Sequence, residues 1–213
     1  MSFYVVGELS LRKGKVADTE WLPVDAAPRG NAPTCPVCSS YVGPRPLLPV
    51  VDIELKCWGR LWGDIAFGVG DELLITERTQ KIAECAGLKG FEEFLPTRLV
   101  RATARSRGMS APPTYVAAKL ARGGGIVDEN RSGFVRQGPR ICSYCRTAGV
   151  LERYDGIYLE EGSYGKFDIF YPWGLPGTIM VSQRLKDIFT ANAVTNFYPM
   201  TAEKCGRDYY SRQ

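Results

Sequence analysis

Two short motifs carry the sharpest chemistry in the chain, Cys35-Pro36-Val37-Cys38 and Cys142-Ser143-Tyr144-Cys145. Two residues between cysteines let a tight knuckle present both sulfurs to one ion, and soft thiolates in a tetrahedron suit zinc. Four thiolates also leave no open position for water or substrate, so such a site is structural. The 103 residues between the knuckles far exceed the roughly 15–20 of ordinary zinc ribbons, and unmetallated structural cysteines therefore stay open as an alternative. Redox chemistry is the third reading. A thioredoxin-like CxxC starts a helix, whereas Pro33, Pro36, Gly43 and Pro44 surround the first pair. Cys57, Cys85 and Cys205 are expected as ordinary core or half-exposed thiols.

The 213 residues contain no histidine, which removes Ser-His-Asp and Cys-His catalysis and every mixed Cys/His metal site. No other pattern assembles a nucleophile, base and orienting group, so an enzyme is not expected. Gly68-Val69-Gly70 lacks the third glycine of a dinucleotide fingerprint, and Gly123-Gly124-Gly125 lacks the Lys-Ser/Thr of a phosphate loop; both read as turns. Glu92-Glu93 and Glu160-Glu161 are sequence neighbours whose side chains diverge on either regular element. Trp58, Trp62, Tyr164, Tyr171 and Trp173 read as core aromatics. The formal net charge is +4, yet Arg98 to Arg146 holds ten Lys or Arg against only Asp128 and Glu129. With Tyr115, Phe134 and Tyr144 interleaved, this segment is a candidate for tracking a phosphate backbone, or for a face that meets an acidic protein.

The elements that must position these residues follow from local pattern. Hydrophobic residues at 45% and charged residues at 23% describe a globular chain. Phe3 to Leu11 reads as an edge strand, residues 23–49 as a Pro-rich loop, and Val50 to Leu55 as a strand. Leu73 to Ile75 reads as a strand leading, through Thr76 as N-cap, into a helix over 77–86 that stops at Gly87. Residues 98–113 look like a connector, and Thr114 to Leu120 and Ile126-Val127 have strand character.

The C-terminal third repeats this pattern. Aligning Leu74-Ile75-Thr76-Glu77-Arg78 with Met180-Val181-Ser182-Gln183-Arg184 sets an offset of 106 residues, which also carries Ile82 onto Ile188, Leu88 onto Val194 and Phe91 onto Phe197. Asp64-Ile65 meets Asp168-Ile169 at an offset of 104, and the CxxC pairs correspond at 107. The expected fold is α+β, with two similar strand-helix-strand halves from a duplication, joined by a four-cysteine zinc knuckle pair. The units are 1–97 with the first CxxC, a basic connector 98–141, and 142–213 with the second CxxC, able to fold as one compact body.

The chain resembles the double-CxxCG motif proteins numerous in myxobacteria, which include immunity proteins of swarming-inhibition toxin systems. The likeness rests on CPVC in a Pro-rich loop followed by PVVDIEL, on PRICSYCR, and on the tail FDIFYPWGLPGTIMVSQRLKDIFTANAVTNFYPM, which is also similar to immunity domains of polymorphic toxin systems. The family has glycine after each second cysteine, where Ser39 and Arg146 stand here. The resemblance implies a non-catalytic protector that binds a cognate toxin and occludes its active site, with Cys35, Cys38, Cys142 and Cys145 as ligands of structural Zn2+. The alternative is a zinc-ribbon-like nucleic-acid-binding protein using residues 98–146. The odd count of seven cysteines, an N-terminus unlike a signal peptide, and no apolar run near the roughly 18 residues of a membrane span lead us to expect a cytoplasmic protein that contacts no membrane.

Overall fold

The apolar runs 73–75 and 179–181 are buried on both faces, and each lies inside a sheet. The structure is a computed structural model that describes residues 2–7, 17–24, 27–68, 72–138, 142–146 and 149–208. Its first part runs β1 (Phe3–Val6), β2 (Thr19–Pro23), β3 (Val51–Cys57), β4 (Ile65–Gly68), β5 (Glu72–Thr76), α1 (Glu77–Cys85) and β6 (Phe91–Ala104). It continues as β7 (Tyr115–Leu120), β8 (Arg122–Ile126), β9 (Val135–Arg136), β10 (Leu151–Tyr154), β11 (Ile169–Trp173), β12 (Ile179–Ser182), α2 (Gln183–Ala191), β13 (Met200–Thr201) and β14 (Arg207–Asp208). The fold is α+β and rich in mixed sheet, with two helices among the described residues.

Strands β2-β3-β6-β7-β5-β4 close a barrel, and β13-β1-β12-β11-β8 form a five-stranded sheet. Strand alternation distributes side chains among three cores. Leu74 joins Trp21, Ile53, Leu55 and Tyr115 inside the barrel. Met180 joins Phe3, Phe170 and Tyr154 on one face of the sheet. Leu73 and Ile75 meet Ile179 and Val181 in the third core, which also takes Ala83 of α1 and Leu185 and Phe189 of α2.

The two strand-to-helix corners match in detail. Thr76 and Ser182 cap their helices, accepting from the amides of Thr79 at 3.3 Å and Leu185 at 3.1 Å. Their own backbone amides donate to the carbonyls of Asp64 and Asp168 at 2.9 and 2.8 Å, and their hydroxyls to the carboxylates of the same two residues. Arg78 and Arg184 each reach that carboxylate and also the carbonyl at the end of the other helix, Asn192 and Ala86 respectively. Finally, Asp64 accepts from the amide of Thr195 at 2.9 Å, and Asp168 from the amide of Lys89 at 2.9 Å. Each aspartate therefore ties its own helix to the loop that follows the other helix.

Three expectations need correction. The first strand is not an edge: β1 lies between β12 and β13, because Phe3, Val5 and Val6 bury side chains on both of its faces; residues 8–11 fall outside the described residues. Gly123-Gly124-Gly125 is strand, not turn. It forms most of β8, parallel to β11, and a Cβ on Gly124 would stand 2.4 Å from a Phe170 ring carbon, so close backbone approach demands glycine there. Residues 98–104 are strand, not connector: they extend β6 beside β3, where Arg98 and Arg101 pair with Asp52 and Glu54 at 2.6 and 2.5 Å. The expected basic connector thus also carries β7, β8 and β9.

Candidate metal centre

The first knuckle grows from a loop folded upon itself. Thr34 bridges Tyr41, the Cys35 amide donates to the Ser40 carbonyl, and the Val42 amide donates to that of Pro33, both at 2.9 Å. Inside this hairpin the Ser39 amide returns to the Cys35 carbonyl at 2.9 Å, and the Val37 amide approaches Cys35 Sγ at 3.4 Å. Arg122 of β8 anchors the loop by donating to the Val42 carbonyl at 3.0 Å. A Cβ on Gly43 would collide with that guanidinium at 2.3 Å, so glycine admits the clamp.

The second knuckle stands against the end of β11. Trp173 packs on the cysteines, and its ring centroid lies 5.7 Å from that of Tyr144. Arg146 pairs with Glu160. Residues 139–141 and 147–148, which include Pro139 and Arg140 of the basic approach, lie outside the described residues.

These supports bring Cys35, Cys38, Cys142 and Cys145 together, with all four sulfurs within 4.8 Å of one another. Cys38 and Cys145, from different knuckles, have sulfurs 3.7 Å apart. A tetrahedral ion with metal–sulfur bonds of about 2.3 Å spaces its sulfurs by roughly 3.8 Å, so the four lie close enough to hold a metal ion. Cys35, Cys142 and Cys145 are buried and Cys38 is half-buried. Hydrogen bonds from the Ser40 side chain and amide, helped by Cys142 and Cys145 and opposed by burial, bring the Cys38 thiol down to about 6. At neutral pH it is therefore a thiolate, the form that ligates metal.

The backbone just after each pair is the most specific feature. Ser39 and Arg146 both adopt the left-handed conformation, at φ 58° and 59°. Glycine does so without strain, whereas other residues carry a cost of roughly 1 kcal/mol.

The remaining cysteines stay apart. Cys57 donates to the Leu61 carbonyl at 3.1 Å, burial with Glu203 nearby pushes Cys205 up to about 11, and Cys85 is exposed on α1. The segment 98–146 does not form one basic stripe. Arg98, Arg101, Lys119, Arg136 and Arg146 meet Asp52, Glu54, Glu92, Glu129 and Glu160 within 4.0 Å, while Arg122 and Arg131 stack on Tyr171 and Tyr158. Among the expected core aromatics Tyr171 is buried, Trp62, Tyr164 and Trp173 are half-buried, and Trp58 is exposed. Gly70 and Val69 lie outside the described residues. Sequence reasoning missed Arg122 and Trp173 as supports of the knuckles; the only local hint was the glycine run beside Arg122. A scan of protein-family models finds none that matches this chain, and a search of curated proteins finds no match either. Among the described residues no helix is long and apolar enough to cross a membrane.

Proposed function

We propose that the chain is a non-catalytic immunity protein of the double-CxxCG type, clipped by one structural zinc, which neutralises a cognate toxin by covering its active site. The observation that carries this reading is the pair of left-handed residues Ser39 and Arg146. They occupy the two positions where the resembled family has glycine, and they keep glycine's backbone at both. Four clustered cysteine sulfurs, three of them on buried residues, favour zinc as a closed structural ion. In the same reading the halves are copies of one unit. Its support is the matched pair of aspartate latches and the reciprocal reach of Arg78 and Arg184. The knuckles carry exposed apolar side chains, with Val37 at 65%, Tyr41 at 76% and Tyr144 at 41% exposure. Exposed apolar and aromatic side chains of this kind suit a protein partner. That several cations of 98–146 already meet carboxylates argues against their serving a phosphate backbone.

The test is co-expression in a sensitive host with any toxin found to be encoded by a neighbouring gene, followed by pull-down. Survival that requires this protein, with a complex that persists in high salt, supports immunity. Killing that is unaffected by abundant folded protein, without a complex, refutes it. Nucleic-acid binding that falls steeply with salt would turn attention to the alternative reading.

A further inference from the structure

Strand β6 runs for 14 residues, and its two neighbours cover different parts of it. Strand β7 pairs with Phe91 to Pro96 along one edge, and β3 pairs with Thr97 to Ala104 along the other. Because β6 stands between these strands in the barrel, the edge that β7 covers over 91–96 is open over 98–104. The Thr97 hydroxyl, which donates to the Tyr115 carbonyl at 2.7 Å, marks the point where β6 and β7 part. The segment 105–114, which returns to β7, makes no backbone hydrogen bond to 98–104 among the described residues. Its Arg105 amide donates instead to the Cys57 carbonyl at 2.9 Å, and its Ser110 carbonyl accepts from the Trp62 indole at 2.9 Å.

Burial along the same segment points the same way. Val51, Ile53, Leu55 and Cys57 of β3 are all buried, yet every residue from Arg98 to Thr103 beside them is exposed. Leu99 pairs in register with Ile53 and is 42% exposed; Val100, at the register shift that follows, is 54% exposed. The apolar row is core on one strand and solvent-facing on the next. Unpaired amides and carbonyls along such an edge are a template for another strand.

Charge selects the kind of strand. Residues 97–107 hold four arginines and no acid. Arg98 and Arg101 are already engaged by Asp52 and Glu54. Arg105 and Arg107 follow directly, and Arg60 lies on the loop whose Gly59 carbonyl accepts from the Ser106 hydroxyl at 3.2 Å. Arg60, Arg105 and Arg107 are exposed and form no ion pair among the described residues. A second copy of this chain would bring the same basic edge, and like charges brought opposite each other destabilise a strand pair.

We propose that the open edge of β6 over residues 98–104 accepts an extended acidic segment of a partner protein as an added strand. The backbone of that segment would pair with 98–104, its apolar side chains would lie beside Leu99 and Ala102, and its carboxylates would meet Arg60, Arg105 and Arg107. Main-chain hydrogen bonds give such a contact its affinity, and alternate side chains give it its choice of partner. The inference does not depend on the immunity reading. The competing explanation is that the arginines and the register shift only guard the edge against aggregation, and the experiment separates the two.

The metal-loaded full chain, labelled with nitrogen-15, is titrated with a capped peptide of about eight residues, a normal strand length, in which Val and Glu alternate. Backbone amide signals and their hydrogen exchange are followed. We expect saturable shifts centred on 98–104, with slowed exchange at alternate amides of that segment, at a Kd of about 1 mM or below. The same peptide N-methylated at every amide cannot pair, and one with Lys in place of Glu carries the wrong charge; each should bind at least about tenfold more weakly. Arg105→Glu combined with Arg107→Glu should weaken binding of the Val-Glu peptide by about tenfold. Should that double variant fail to fold, Arg60→Glu alone should act in the same direction. Lys81→Gln, on the exposed face of α1, should change nothing. A peptide that leaves 98–104 unshifted, or shifts that do not saturate, overturn the proposal, as does equal binding of the methylated or the Lys peptide. A short oligothymidine that binds the same residues more tightly than the peptide overturns it in favour of a nucleic acid. A dimer of the free protein that already protects 98–104 overturns it in favour of a second copy.

Discussion

Replacing Asp168 with alanine tests whether the reciprocal latches hold the molecule together. The carboxylate accepts from the Ser182 hydroxyl at 2.8 Å, from Arg184 at 2.9 Å and from the Lys89 amide at 2.9 Å, and it is largely buried. Arg184 is half-exposed, so its ion pair contributes only ~0–1 kcal/mol. The other two contacts count for more. Without the carboxylate, the Lys89 amide and the cap hydroxyl each lose an acceptor, at about 1–2 kcal/mol apiece. Asp168→Ala should therefore cost about 2–4 kcal/mol, a fall in Tm of roughly 5–15 °C for a chain of this size. Asp64→Ala should behave alike, because Asp64 makes the matching contacts to Thr76, Arg78 and Thr195. Asp187→Asn, which touches Gln183 on the exposed face of α2, should stay within about 0.5 kcal/mol. Urea unfolding followed by tryptophan fluorescence reads all of these. Neither aspartate touches the cysteines, so metal content per folded chain should not change. A loss under about 1 kcal/mol at both positions would refute the idea that the latches bear the joint between the halves.

Metal analysis of freshly purified protein should find about one zinc per chain; Cys38→Ser and Cys145→Ser should each abolish it and lower the yield of folded protein, since metal-binding energy is folding energy. Ser39→Gly should raise stability by about 0.5–1 kcal/mol by relieving the left-handed serine, read as a higher urea midpoint; no change would mean the backbone there is unstrained. In metal-free protein, Cys38 alkylation by iodoacetamide should rise through a midpoint near pH 6. Because its folded pKa is depressed, the thiolate's contribution to stability is complete above the free-thiol value of 9.0 and is lost as pH falls toward 6; an alkylation midpoint near 9 would remove this effect.

The sequence could be read where the determining interactions are local. A cap hydroxyl acts three residues along the chain, so Thr76 and Ser182 announced both helices, and the CxxC spacing announced both knuckles. Residues 98–104 misled because their arginines resemble a solvated linker, while the carboxylates that seat them, Asp52 and Glu54, lie more than 40 positions away on β3. The position of β1 was illegible for a related reason. Its partner β12 stands at the other end of the chain, and no local pattern encodes that register. Pairing also runs the other way: β7, from the middle of the chain, completes the barrel beside β5 and β6. Under the proposed duplication, β1 and β7 are equivalent opening strands: β1 pairs with β12, which leads into α2, and β7 pairs with β5, which leads into α1. Neither half could then finish its sheet alone, and neither knuckle could close a four-thiolate site alone. Exchange of strands, exchange of aspartate contacts and sharing of one ion would all join the same two halves. On that view a long sequence separation between the knuckles is no obstacle to a metal site, because the barrel and sheet join segments that lie far apart along the chain.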